Sequence, residues 1–170
     1  MKVVFLDIDG VLNSKNTKAY TPSGCCGIEK ALLKRLRRII ESTGAKVVLS
    51  STWKTELDKN LNPISPDGKY MLNKFLYEGK FLLFDKTIDS GNSLHRGKEI
   101  LLWLEEREYV TEFIILDDIY FNDFDRFGLS DRFVNTDPLT GLTDSNVEDA
   151  IDILNGKRMG PVDECFWAGL

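Results

Sequence analysis

Met1–Asn13, MKVVFLDIDGVLN, is the stretch whose reading decides the fold. The run Val3, Val4, Phe5, Leu6 lacks polar alternation, the pattern of a strand buried on both faces of a parallel sheet. It stops at Asp7 and Asp9, and Gly10 follows at once. Side chains alternate along a strand, so the two carboxylates share a face, which is unfavourable unless something cationic or reactive stands there. In open α/β sheets, ligands bind in the crevice beyond the carboxyl ends of the strands. Asp-x-Asp-Gly at such an edge points to a divalent-cation site with one carboxylate left over for chemistry. An EF-hand calcium loop shares the Asp-x-Asp start. Counted from Asp7, however, it puts Leu12 where Gly is needed and Lys18 where the closing Glu is needed. That loop is excluded.

The rest of the chain repeats the pattern. Strand signals recur at Lys46–Ser50, Phe81–Phe84 with its flanks, Phe113–Asp117 and Arg132–Asn135. Helical periodicity fills the gaps at Gly27–Ser42, Trp53–Leu61, Gly97–Glu108, about Phe121–Phe127 and Ser145–Leu154. In the first helix Ile28, Leu32, Leu33, Leu36, Ile39 and Ile40 form one apolar stripe, and Thr43-Gly44 is its stop. Strands alternating with helices predict a three-layer, doubly wound, Rossmann-like parallel sheet with no large cap domain, over residues 1–155. The turn-rich stretch within 62–80 reads as a small lid, and 156–170 as a C-terminal extension carrying Phe166 and Trp167.

Composition bounds the function. At 170 residues, 42% hydrophobic and 29% charged, the chain suits one globular domain. No apolar stretch approaches the ~18 residues needed to cross a bilayer. The N-terminus runs straight into a strand, without the tripartite pattern of a secretion signal. Three cysteines, two of them adjacent (Cys25 and Cys26), make neither a disulfide framework nor a zinc pattern, so a cytoplasmic location is expected. A net charge of −5 gives no global basic footprint for nucleic acid. A local entrance built from Lys15, Lys18, Lys54, Lys59 and Arg96 with Tyr20, Trp53 and Tyr70 is conceivable, but scattered surface residues and core aromatics are the simpler reading.

Other strand ends also carry chemistry. The second ends in Ser50-Ser51-Thr52 before a helix, where hydroxyls and free N–H groups suit an anion. The fourth ends in Asp117-Asp118, with Asp123 and Asp125 close behind. His95, Arg96 and Lys98 stand at a helix start, where the dipole disfavours cations unless they face an anion. Together these ends place a hard cation such as Mg²⁺ between carboxylates, with hydroxyls and a cation around a phosphate.

The ordered motifs resemble those of the haloacid dehalogenase superfamily. The first motif, Asp-x-Asp-Gly-[Thr/Val]-Leu after an apolar strand, is matched by Asp7-Ile8-Asp9-Gly10-Val11-Leu12. The second is matched by Ser50, the third by Lys98 with Arg96 as competitor, and the fourth by Asp117, Asp118 and Asp123. The match spans roughly Met1–Leu154. VVLSSTWK, the RGKEILLWL helix and ILDD are similar to a bacterial and phage subgroup associated with RNA repair, whose relatives include the phosphatase half of polynucleotide kinase-phosphatases.

The resemblance implies a Mg²⁺-dependent phosphatase that hydrolyses a phosphomonoester through an aspartyl phosphate. Asp7 would be the nucleophile, and Asp9 the acid–base residue. Ser50 and Lys98 would bind the phosphoryl oxygens, and Asp7, Asp9 (through its backbone carbonyl) and Asp118 would hold the metal. Gly10, Ser51, Arg96, Asp117 and Asp123 would support them. The substrate would be a phosphorylated small molecule or nucleotide, or a nucleic-acid end, with no membrane partner. The alternative is a catalytically silent phosphate-binding module of the same fold.

Overall fold

The computed structural model describes residues 1–92 and 94–157. Within it five parallel strands form one sheet: β1 (Lys2–Leu6), β2 (Lys46–Leu49), β3 (Leu83–Lys86), β4 (Glu112–Asp117) and β5 (Phe133–Asn135), in the order β3-β2-β1-β4-β5. β1 lies at the centre, with Phe5 opposite both Val48 of β2 and Ile115 of β4. That position explains its unbroken apolar run. Val3, Val4, Phe5 and Leu6 are fully buried because neither face meets water.

The helices divide between the two faces, as the alternating pattern predicts. α1 (Lys30–Thr43), α2 (Pro66–Asn73) and α5 (Asp144–Leu154) cover the face of Val4, Leu6, Val47 and Leu49. α3 (Arg96–Glu105) and α4 (Asp123–Arg126) cover the face of Val3, Phe5, Val48 and Ile115, where Phe5 meets Trp103 edge-on at 5.3 Å between ring centroids. Leu32, Leu33, Leu36 and Ile39 of α1 are buried, and Gly44 ends that helix in the left-handed conformation. Among the described residues no helix is long and apolar enough to cross a membrane.

Two local expectations give way. The helix expected over Trp53–Leu61 is only a 3₁₀ turn, Thr52–Glu56. Its continuation is diverted because the Asp58 carboxylate accepts the N–H groups of Asn60 (2.8 Å) and Asn62 (2.9 Å), a local alternative to helical pairing. The stretch within 62–80 is mostly helix. Ser65 caps α2 by accepting the Gly68 N–H at 3.0 Å with Pro66 in the first turn, and a π-helical turn, Lys74–Gly79, extends it. Met71 and Phe75 of this segment are buried in the core beneath α1, so it serves as the crossover between β2 and β3. Its start, at Asp67, reaches the rim of a cavity shared with Asp9, Thr52 and Trp53. The expected extension lies, beyond Lys157, outside the described residues.

Candidate functional site

The carboxyl ends of β1, β2 and β4 converge because the ladders continue past the strands. The Asp7 N–H donates to Leu116 O (2.9 Å), and the Ser50 and Ser51 N–H groups both donate to Leu6 O (3.0 and 3.2 Å). Asp7, Asp117 and Asp118 thereby offer carboxylate oxygens within 4.8 Å of one another. Arg96, the first residue of α3, reaches in from the opposite side. Its Nη1 donates to Asp7 Oδ1 at 3.3 Å and to the Ser50 carbonyl, and its Nε lies 3.8 Å from Asp117 Oδ2. Phe121 backs the guanidinium at 5.3 Å from its ring centroid. Arg96 and Asp7 are both more than nine-tenths buried.

Burial dominates the acidity of this cluster. It pushes the Asp7 carboxyl up to about 6, against the opposing pull of Arg96 and a Ser51 hydrogen bond, while Asp9 and Asp118 add to the rise. Asp117 is pushed up to about 8 by burial and by the neighbouring Asp7, and Asp118 is raised by burial in the same direction. One guanidinium does not balance three carboxylates taken out of water. Asp117 Oδ2 and Ser50 Oγ are buried without a hydrogen-bond partner among the described residues, though Oδ2 keeps its distant Arg96 contact. Hard oxygen donors, a surplus of negative charge and an orphaned carboxylate oxygen all fit a divalent cation such as Mg²⁺.

Asp9 stands apart from that cluster. Its carboxylate is exposed and accepts Trp53 Nε1–H (3.0 Å) and Asn13 Nδ2–H (2.8 Å). The reason lies in the backbone. β1 ends at Leu6, and Gly10 turns the chain at φ +73°, so strand alternation no longer governs Asp9. Gly10 is also a packing requirement, since a Cβ there would lie 2.4 Å from Asp118 Oδ2. Asn13 Oδ1 accepts the Gly10 N–H (2.9 Å), and Thr136 donates to the Gly10 carbonyl (2.8 Å), which fixes the loop. The side-chain cluster suited to a metal is Asp7, Asp117 and Asp118, and Asp9, expected to reach the metal through its backbone carbonyl, keeps its carboxylate outside that cluster.

The start of α3 separates Arg96 from Lys98. Arg96 is buried against Asp7, whereas the Lys98 side chain is exposed. Residues two apart on a helix point to different faces, and Arg96 is the one that meets the carboxylates. Asp123 does not orient the Lys98 ammonium. Its two oxygens accept the N–H groups of Gly97 (3.1 Å) and Lys98 (3.0 Å), satisfying the helix start, and a Cβ on Gly97 would lie 2.7 Å from Asp123 Oδ1. Of the residues weighed for a basic and aromatic entrance, Lys54 and Arg96 are buried, Tyr70 accepts the Ile28 N–H at 3.0 Å, and Trp53 holds Asp9, in keeping with the simpler reading of surface residues and core aromatics. Lys15, Lys18, Lys59 and Tyr20 remain on the surface.

Lys54 and Glu99 form a pair that sequence reading does not find. Both are buried, and they join in an ion pair between the turn after Ser50 and the first turns of α3. Glu99 also accepts the Ser90 N–H and hydroxyl, each at 2.8 Å. The partners lie far apart in sequence, so no local spacing announces them. Glu99→Gln leaves a buried ammonium without its counter-charge and is expected to lower stability by about 3–5 kcal/mol. Urea unfolding should then show a lower midpoint at unchanged m.

Asp7, Asp9, Arg96 and Asp118 open into one cavity of about 550 Å³ with Thr52, Leu94 and Ile119–Asp123. Comparison with curated protein sequences and with solved structures gave no significant match. A family model described as "HAD domain in Swiss Army Knife RNA repair proteins" matches residues 3–147. That span takes in the sheet but for Lys2 and each of the strand ends gathered here, and the chain belongs to this HAD domain family.

Proposed function

We propose that the protein is a Mg²⁺-dependent phosphatase that hydrolyses a phosphomonoester through an aspartyl phosphate on Asp7, acting on a phosphorylated nucleic-acid end. The observation that carries this reading is the buried Asp7, gripped by Arg96 and grouped with Asp117 and Asp118 at the strand ends. The RNA-repair setting of the family supports the substrate class.

Asp7, Asp117 and Asp118 would hold the cation, which supplies positive charge to the phosphoryl oxygens and keeps Asp7 ionised. The Asp7 carboxylate attacks phosphorus, and the bond to the leaving oxygen breaks. Asp9 gives that oxygen a proton, then takes one from the water that attacks the phosphoenzyme, which releases inorganic phosphate and Asp7. Arg96 and the unpartnered Ser50 hydroxyl offset charge on the phosphoryl oxygens as it builds up. Trp53 and Asn13 position Asp9. Arg96 takes the role the resemblance assigned to Lys98.

Turnover of aryl phosphate and of 3′- and 5′-phosphorylated oligonucleotides with Mg²⁺, lost on chelation, tests the reading. Absence of turnover on any phosphomonoester would leave only a phosphate-binding module.

The raised pKa values add a test that needs no turnover. Asp7 and Asp117 ordinarily titrate near 3.8, and folding raises them to about 6 and about 8. Between those limits the native state binds more protons than the unfolded one, so stability falls as pH rises. The metal-free protein is therefore expected to lose Tm from about pH 4 to about pH 8. Added Mg²⁺ binds only the ionised native cluster, so it should restore Tm at the alkaline end and do little at the acid end. A Tm that rises over this range without metal, or ignores Mg²⁺ at the alkaline end, contradicts the assignment of these carboxylates.

A further inference from the structure

The cavity above the carboxylates has a second wall that phosphoryl transfer does not use. Leu94, Ile119 and Tyr120 line it while remaining 70%, 54% and 43% exposed. Exposed apolar side chains grouped at the mouth of a charged site mark a surface kept for a ligand. Tyr120 is exposed yet fixed. Its hydroxyl donates to Asp125 (2.5 Å) and lies 2.8 Å from Ser130 Oγ, and its ring meets Phe124 and Phe133 edge-on, with centroids 5.6 and 5.3 Å away. A ring immobilised before any ligand arrives is a platform that costs little to order on binding.

Charge narrows the occupant. Among the described lining residues Arg96 is the sole cation, and it is engaged by Asp7, Asp117 and the Ser50 carbonyl. The remaining charged groups there, Asp7, Asp9, Asp118 and Asp123, are acidic. The lining therefore offers no second cation for a phosphoryl group joined directly to the transferring one, which disfavours polyphosphates. Its uncharged polar side chains among the described residues are Thr52, Asn122 and Tyr120, whose hydroxyl is already bonded to Asp125 and Ser130, few partners for a bare sugar. Ile119 directly follows the candidate metal ligand Asp118, so the wall adjoins the reacting centre.

We propose that this wall seats the base of a nucleoside carrying the phosphomonoester, with the base packed on Tyr120 and flanked by Leu94 and Ile119. This rests on the phosphatase reading of the same site. The nucleoside belongs to a free mononucleotide or to the end of a chain, and the two sources share this chemistry.

The test compares kcat/KM for 3′- and 5′-phosphorylated oligonucleotides, the matching mononucleotides and ribose 5-phosphate, in wild type and in Leu94→Ser/Ile119→Ser. Both side chains are exposed, so the substitutions are mild for the fold, and the single variants serve if the double one loses Tm. Base-bearing substrates are expected to be favoured over ribose 5-phosphate, and the variant should cut that preference on the order of 10-fold, mainly through KM. Preference for oligonucleotides over mononucleotides identifies a chain end; preference for mononucleotides identifies free nucleotides. An unchanged preference in the variant overturns the proposal. Fluorescence anisotropy with the same phosphorylated oligonucleotides reads the wall without turnover. Weaker binding by the variant supports the proposal even if the phosphatase reading fails, and equal binding overturns it.

Discussion

Asp7→Asn is expected to abolish phosphatase turnover, with a loss on the order of 10⁴- to 10⁶-fold in kcat, because an amide cannot attack phosphorus as a carboxylate does. The substitution is nearly isosteric, and the site around it is over-supplied with negative charge. Burial already pushes Asp7 up to about 6 and makes it part of the load on Asp117. Neutralising position 7 removes one buried charge, so the variant should fold with equal or higher stability in the absence of metal. Loss of activity with retained or raised Tm is the expected pair of results. Loss of both would mean that Asp7 mainly anchors Arg96.

Arg96→Met is expected to lower kcat on the order of 10²- to 10³-fold, the effect of losing one preorganised donor to the developing charge. Stability should fall as well, because Asp7 and Asp117 then face each other without their shared cation. Arg96→Lys should recover only part of the activity. An ammonium is a point charge and cannot span Asp7, Asp117 and the Ser50 carbonyl as the guanidinium fork does. Lys98→Met, at an exposed side chain, should change kcat little. Steady-state kinetics on aryl phosphate, with Tm measured alongside, checks all three. A larger loss at Lys98 than at Arg96 would reverse the assignment.

How much of this was legible in the sequence follows from the range of each interaction. β1 and β4 were legible because burial on both faces forces an unbroken apolar run, and each run ended in carboxylates with no structural reason to be there. The doubly wound architecture followed from alternation and handedness. What escaped depended on geometry that spacing does not encode. Strand alternation placed Asp9 beside Asp7, but the strand stops at Leu6 and Gly10 turns the chain, so the Asp9 carboxylate goes to Trp53 and Asn13. Asn13 directly follows the first motif at a spacing that suits a loop clamp, and that signal could have been used. Arg96 and Lys98 could not be separated without knowing which face of α3 meets the sheet. Ser65-Pro66-Asp67-Gly68 carries both helix-start and turn chemistry, and only the burial of Met71 and Phe75 decides for the helix. The Lys54–Glu99 pair joins distant segments and leaves no local trace.

The covalent step is the centre of the account, and trapping it is the most direct test. Asp9→Asn keeps the nucleophile but removes the group that activates water. With Mg²⁺ and an aryl phosphate, whose leaving group needs little help from an acid, the phosphoenzyme should accumulate. Acid quenching followed by peptide mass spectrometry should then find one phosphoryl group on Asp7, lost on treatment with hydroxylamine. A wild-type enzyme that turns over phosphomonoesters while Asp9→Asn yields no phosphoryl group on Asp7, or carries it on another residue, would contradict the account.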